Sequence, residues 1–225
     1  MLEIKEGCKV PFPEKLFEGY EARDTAIYAN VNASKILDMM KHFIEMHKEP
    51  LFFILELPCK IEDGITAEKS IVNANEDYDV YFIDGLDAQQ AQKCMGALGD
   101  FLVKDGMNTF GIGGHESQEE ILFGKYNVMT IYTENAEAYF SFFNRFGIQK
   151  TDKLITAWDT FDAEHPGECI RYVSEETGKT IYDIPEAYKE YGMYLYEARK
   201  EYAEEAEEEI TFDELIGKVL LVGIT

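Results

Sequence analysis

Positive charge is what this chain has least of. It carries 21 Lys and Arg against 44 Asp and Glu, a formal charge of −23 over 225 residues. So anionic a surface repels nucleic acid and anionic membranes and attracts basic proteins. Long apolar runs are missing as well, none approaching the roughly 20 residues that cross a bilayer. The opening MLEIKEGCKVPFPEKLF lacks the charged-then-apolar pattern of a secretory signal. A cytoplasmic address is the expectation. The four cysteines (Cys8, Cys59, Cys94 and Cys169) stand far apart with no C-x-x-C pair. That spacing suggests neither a zinc knuckle nor a small disulfide framework, and the cysteines read as reduced thiols, most of them in a core. With no linker rich in Pro, Gly or Ser, one domain over residues 1–225 is the simplest organisation.

Reaction motifs are also wanting. In FGIGGHESQEE (110–120) Gly111 and Gly113 begin a dinucleotide fingerprint, but Glu116 stands where its third glycine belongs, and no G-K-[ST] follows for a phosphate loop. A tight link between two strands explains the glycines better. His115 and Glu116 begin an H-E-x-x-H helix that Glu119 fails to complete. NANEDYDVYFID (73–84) has oxygen side chains at Asn73, Asn75, Asp77 and Asp79. It puts Tyr78 and Asp84 where a calcium loop needs Gly and Glu. No metal or cofactor is implied. The single tryptophan, Trp158, sits beside Asp159 and Asp162, and paired carboxylates do acid and base work where a cleft raises one pKa. An anchoring Trp with two turn-capping Asp is the plainer account.

What is present is an α+β pattern. Three segments (27–43, 80–102 and 130–146) each run from a strand through a polar capping residue into a helix. The caps are Asn32, Asp87, and Thr133 or Asn135. Apolar strands follow at 51–57, 107–113 and 153–161, and two more are expected at 120–124 and 126–132. With one of the three middle strands set aside, the stretch from about 80 to 160 reads β-α-β-β-α-β, the split order of ferredoxin-like folds, in a mixed or antiparallel sheet. Residues 60–79 look like a polar connection with room for a short ordered piece, 169–183 like a hairpin turning near Gly178, and KVLLVGI (218–224) like a closing strand.

Pro185 suits the first position of a long acidic helix from 186 to about 208. Tyr188, Tyr191, Leu195, Ala198 and Tyr202 would form its packing stripe. Tyr194, Glu197, Glu201, Glu204, Glu205 and Glu208 would share another face. Glutamates four apart repel, at a combined cost of about 1 kcal/mol, and acids in the last turn oppose the helix dipole. Residues 1–185 carry −16 by themselves, so the bias is chain-wide and densest at the C-terminal end. Seven of the 14 tyrosines fall between Tyr172 and Tyr202. Tyr interleaved with carboxylates makes a docking face for a protein rich in Lys and Arg.

With ILFGKYNVMTIYTENAEAYFSFFNRFGI, LITAWDTF and HPGE in view, residues 50–200 resemble in general style the small acidic immunity proteins encoded beside bacterial polymorphic toxins. The resemblance implies a non-enzymatic protein that neutralises a basic toxin, for example a nuclease, by tight binding. Two other readings stand beside it: a hydrolase or transferase with a pocket near His115, Glu116, Trp158 and Asp159, and an acidic adaptor subunit.

Overall fold

The computed structural model describes residues 1–48, 50–59, 69–71 and 78–199. In chain order the elements are β1 (Cys8–Lys9), β2 (Gly19–Arg23), β3 (Ala26–Asn30), α1 (Ile36–Met46) and β4 (Leu51–Pro58). β5 (Lys69–Ile71), β6 (Tyr78–Leu86), α2 (Ala88–Lys104), β7 (Thr109–Gly114), β8 (Glu120–Phe123) and β9 (Val128–Tyr132) follow. α3 (Phe140–Arg145), β10 (Glu168–Ile170), α4 (Ile184–Ala187) and β11 (Met193–Arg199) complete the list. The fold is α+β, with no helix among the described residues long and apolar enough to cross a membrane.

Eight strands make one sheet in the order β11-β6-β4-β7-β8-β9-β3-β2, every neighbouring pair antiparallel. β6 and β7 both run antiparallel to β4, so they are parallel to each other. Parallel strands need a crossover, and α2 supplies it across β4. A smaller antiparallel sheet, β1-β10-β5, ties the N-terminal segment to the later chain.

Alternation decides the two faces. Phe53, Leu55, Phe110, Ile112, Ile121, Phe123, Met129 and Ile131 point to one side and are fully buried. All four helices pack on that inner face. α1 contributes Ile36, Met39, Met40, Phe43 and Ile44 at helical spacing, and α2 contributes Ala91, Cys94, Met95, Leu98 and Leu102. One buried cluster runs from Leu2 to Met193. Each fully buried Phe or Leu adds roughly 2 to 3 kcal/mol of transfer free energy. Asp87 caps α2 reciprocally: its Oδ1 accepts from Gln90 N–H at 2.8 Å, while Gln90 Oε1 accepts from Asp87 N–H at 2.8 Å.

Several sequence expectations are corrected. Residues 153–161 form no strand. Leu154 N–H donates to Glu21, the Ile155 carbonyl accepts from Asn30, and Thr156 donates to Asp159 ahead of a 3-10 turn at Trp158–Thr160. Side chains from β2 and β3 thus satisfy a backbone that would otherwise seek a ladder. No hairpin forms over 169–183, because β10 pairs with β1 and β5 instead; the tight turn at Gly178 is present, with φ +66°.

Over residues 188–199 the expected long helix does not form. α4 and a 3-10 turn (Lys189–Tyr191) end at Gly192, whose φ of +92° is left-handed. Beyond it residues 193–199 are β11, paired with β6. The stretches 200–217 and 218–224 lie outside the described residues. Asn32 does not cap through its side chain, but accepts from Glu3 N–H at 2.7 Å.

Asp87→Ala is expected to destabilise the protein by about 1 kcal/mol, read as a lowered urea midpoint with unchanged slope. An unchanged midpoint would show that the cap carries no net free energy.

Candidate functional site

Among the described residues no helix packs on the outer face of the large sheet. A row of register partners crosses it, beginning Tyr194–Phe82–Ile54 and ending Thr130–Tyr28–Glu21. At the β2–β3 edge it is crossed by the segment carrying Leu154 and Ile155, which brings Trp158 to a groove of about 360 Å³ lined by Glu56, Tyr78, Leu122, Lys125 and Thr130. Lys125 Nζ donates to Tyr78 OH at 3.1 Å.

The opposite edge is aromatic. Tyr196 lies flat on Phe82, with centroids 4.4 Å apart and planes 4° from parallel. Phe82 stacks on Phe52 at 5.2 Å, and Phe52 meets the His115 ring at 4.9 Å. Tyr194 stands at the edge of Phe82, 6.5 Å away. The ring of Phe52 closes directly over Gly113, where a Cβ would collide with it, so glycine is what lets this ring lie flat on β7.

A β-bulge shapes β11. Register shifts between Leu195 and Glu197, so Tyr196 is the extra residue. In a regular strand residues 194 and 197 would face opposite sides; the bulge returns both to the outer face, Tyr194 opposite Phe82 and Glu197 opposite Val80. The two described residues of the expected docking set are thereby brought together on a strand rather than a helix. Glu201, Glu204, Glu205 and Glu208 lie outside the described residues. Alternation and register put Glu56, Asp84 and Glu120 on the same face. On the inner side of the edge, Leu195 is 51% exposed beside a depression of about 420 Å³ lined by Leu57, Tyr81, Tyr182 and Met193. β11 is the last strand of the sheet among the described residues, and it presents apolar surface on both sides.

The pocket expected from His115, Glu116, Trp158 and Asp159 is not assembled. His115 follows the C-terminal end of β7, while Trp158 sits by Gly124, opposite the N-terminal end. At about 3.3 Å per residue the six-residue strand keeps them roughly 17 Å apart. His115 Nε2 hydrogen-bonds Asp84 instead, and Glu116 lines a separate depression with His47 and Glu119. Asp159 has its pKa lowered by the Thr156 N–H and hydroxyl, and Asp162 by His165. Neither is tuned as a general acid.

A polar cluster that sequence reasoning missed lies at the β7–β8 turn. Glu119 accepts from Thr133 Oγ1 at 2.5 Å, Tyr139 OH at 2.8 Å and His47 Nε2 at 3.0 Å. His47 Nδ1 donates to the Phe43 carbonyl at 2.8 Å. A carbonyl only accepts, so Nδ1 carries hydrogen, and Nε2 faces the Glu119 carboxylate. Both nitrogens are engaged, so neither is free for a substrate. The cluster clamps α1 to the β7–β8 turn and to the segment before α3. Its one sequence signal is Glu119 itself, which stands where an H-E-x-x-H helix needs its second His.

Among the described residues no group of three His, Cys, Asp or Glu is placed to hold a metal. Comparison of the chain with protein-family models, curated proteins and solved structures finds no match.

Burial opposes ionisation of Glu119, but the hydroxyls of Thr133 and Tyr139 and the His47 ring outweigh it and lower its pKa from 4.5. A lowered folded pKa gives stability that is full above the unfolded value and fades as pH falls through the folded one. Glu119→Ala, which strands three donors, is expected to cost about 3 kcal/mol at pH 7. The gap to the unaltered protein should narrow below pH 4.5, read from urea midpoints at pH 7 and pH 3. A gap that stays constant would remove the ionised carboxylate from the account.

Proposed function

We propose that this chain is a non-catalytic acidic binding protein that neutralises a basic protein, as an immunity protein holds a toxin. Its docking surface is the outer sheet face together with β11. The observation that carries this reading is the strip Tyr196–Phe82–Phe52–His115 at the edge of the sheet, set among Glu56, Asp84, Glu120 and Glu197. Rigid aromatic anchors on a polar, charged surround are what interfaces spend most of their binding free energy on. A net charge of −23 speeds encounter with a cationic partner and repels nucleic acid.

The partner is a domain rich in Lys and Arg, for example a nuclease, whose own anion-binding site suits this surface. Among the described residues β11 is the last strand of the sheet, a place where a partner can add a strand of its own. Glu201, Glu204, Glu205 and Glu208 follow directly after β11 in the chain and extend the same acidic character. For a ferredoxin-like order in the middle of the chain the support is its first half alone, β6 and β7 flanking β4 with α2 as crossover, since residues 153–161 supply no closing strand.

The test is titration calorimetry and stopped-flow association with the basic protein encoded beside this chain. Tyr196→Ala is expected to weaken binding ten- to a hundredfold, mainly by faster dissociation. Asp84→Asn with Glu197→Gln should slow association several-fold and flatten its salt dependence. Undiminished affinity in both variants would remove the outer face as the docking surface, and turnover of a small metabolite by the purified protein would overturn the binding role itself.

A further inference from the structure

Two buried sulfurs face each other where the chain's beginning meets its later part. Cys8 on β1 and Cys169 on β10 are register partners, with Sγ atoms 3.7 Å apart and side chains 6% and 1% exposed. Next to them Ile170 N–H donates to the Gly7 carbonyl at 2.7 Å, so Gly7 and Ile170 occupy a hydrogen-bonded position of the ladder. Antiparallel positions alternate, which makes Cys8 and Cys169 a non-hydrogen-bonded pair with Cα atoms about 4.5 Å apart. That falls inside the Cα range of roughly 4.4 to 6.8 Å that a disulfide accepts. Side-chain rotation alone can bring the sulfurs to bonding distance.

The surroundings favour an attacking thiolate. Cys8 Sγ accepts from Tyr126 N–H at 3.5 Å. Lys5 is buried, 1% exposed; its Nζ makes no hydrogen bond and lies over the Phe123 ring, 5.4 Å from the centroid. A buried cation without a hydrogen-bond acceptor stabilises an anion close by.

We propose that Cys8 and Cys169 form a redox-active dithiol, oxidised by peroxide to a disulfide within the native fold. The Cys8 thiolate attacks one peroxide oxygen, giving a sulfenic acid and hydroxide, which takes a proton to leave as water. Cys169 then attacks the Cys8 sulfur, expelling the sulfenic oxygen as hydroxide, and the proton lost from its thiol makes that a second water. Two thiols and one peroxide thus yield one disulfide and two waters.

The two cysteines differ as the two roles require. Burial opposes ionisation of Cys8, yet the Cys169 thiol, the Lys5 ammonium and the Tyr126 N–H outweigh it and bring its pKa down to about 7. The Cys8 sulfur, and then burial, push Cys169 upward. Cys94 on α2 is pushed by burial up to about 12 and serves as an internal control. β1 is a two-residue strand at the edge of its sheet, so brief fraying admits a molecule as small as peroxide.

The experiment uses the full chain, reduced, desalted and exposed to a small excess of hydrogen peroxide. The protein is then denatured and alkylated for intact-mass and peptide analysis. The expected result is a loss of two hydrogens, a linked Cys8–Cys169 peptide, and Cys94 recovered alkylated. The linked form should melt on the order of 10 °C higher, because the bond closes a loop of about 160 residues, and a thiol reductant should reverse the shift. In Cys169→Ser, Cys8 should accumulate a sulfenic acid trappable by dimedone. A Cys59→Ala/Cys94→Ala chain, with the pair alone, should still oxidise fully. Free Cys8 and Cys169 after treatment, a link through Cys59, or a lower melting temperature for the linked form would overturn the proposal.

Discussion

The pairing of β4 between β6 and β7 is the constraint on which the rest of the structure hangs. β4 is apolar along almost its whole length, and its inner residues Phe53, Leu55 and Leu57 meet α2 and the core. Once β6 and β7 lie on either side of it, α2 has to cross over the inner face. β11 can then add only beyond β6. Everything functional in the proposal follows from that placement, since it leaves one face to the helices and the other, with its aromatic edge, to whatever docks there.

The bulge at Tyr196 has a consequence out of proportion to one residue. Without it, Glu197 and the residues after it would be turned toward the inner side, where carboxylates would meet the depression beside Leu57 and Tyr81. With it, Tyr194, Tyr196 and Glu197 all face outward, and local twist increases, as bulges at sheet edges do. An edge strand is a hazard because its open backbone row invites uncontrolled pairing. A bulge and nearby acids limit that hazard toward other copies of a chain this negative, while leaving the edge attractive to a cationic strand.

Much of the fold was legible in the sequence. The apolar periods of α1 and α2, the Asp87 cap, the glycine-linked β7–β8 pair and the strands at 51–57 and 80–86 all carry local signals that tertiary context did not override. The failures have physical causes. LITAWDTF has strand composition, but its backbone bonds go to Glu21 and Asn30, residues more than a hundred positions away. The stripe of Tyr188, Tyr191 and Leu195 fits a helical period, yet Gly192 interrupts it, and pairing with β6 outweighs propensity for the residues beyond. The glycine was the available signal. For the outer face, Phe52 and Phe53 are adjacent aromatics in one apolar run, and nothing local says which is core and which is surface. Gly111 and Gly113 hinted at it, because alternate glycines mark a face over which something must lie close.

Lys5 bears on how so acidic a chain tolerates its own charge. Burying an ammonium without a hydrogen-bond acceptor costs several kcal/mol in a neutral surrounding, and it is the one lysine or arginine among the described residues that is buried. A field of negative sign over the whole molecule lowers that cost, and Asp105, buried nearby with its pKa raised by burial, is itself drawn toward ionisation by Lys5. Gly7 and Gly106 make the close approach here, since a Cβ on either would strike the other's backbone. The crossing therefore brings a cation, a carboxyl group and two thiols into one dry space, where the charge of Lys5 favours ionisation of both Cys8 and Asp105 against their burial.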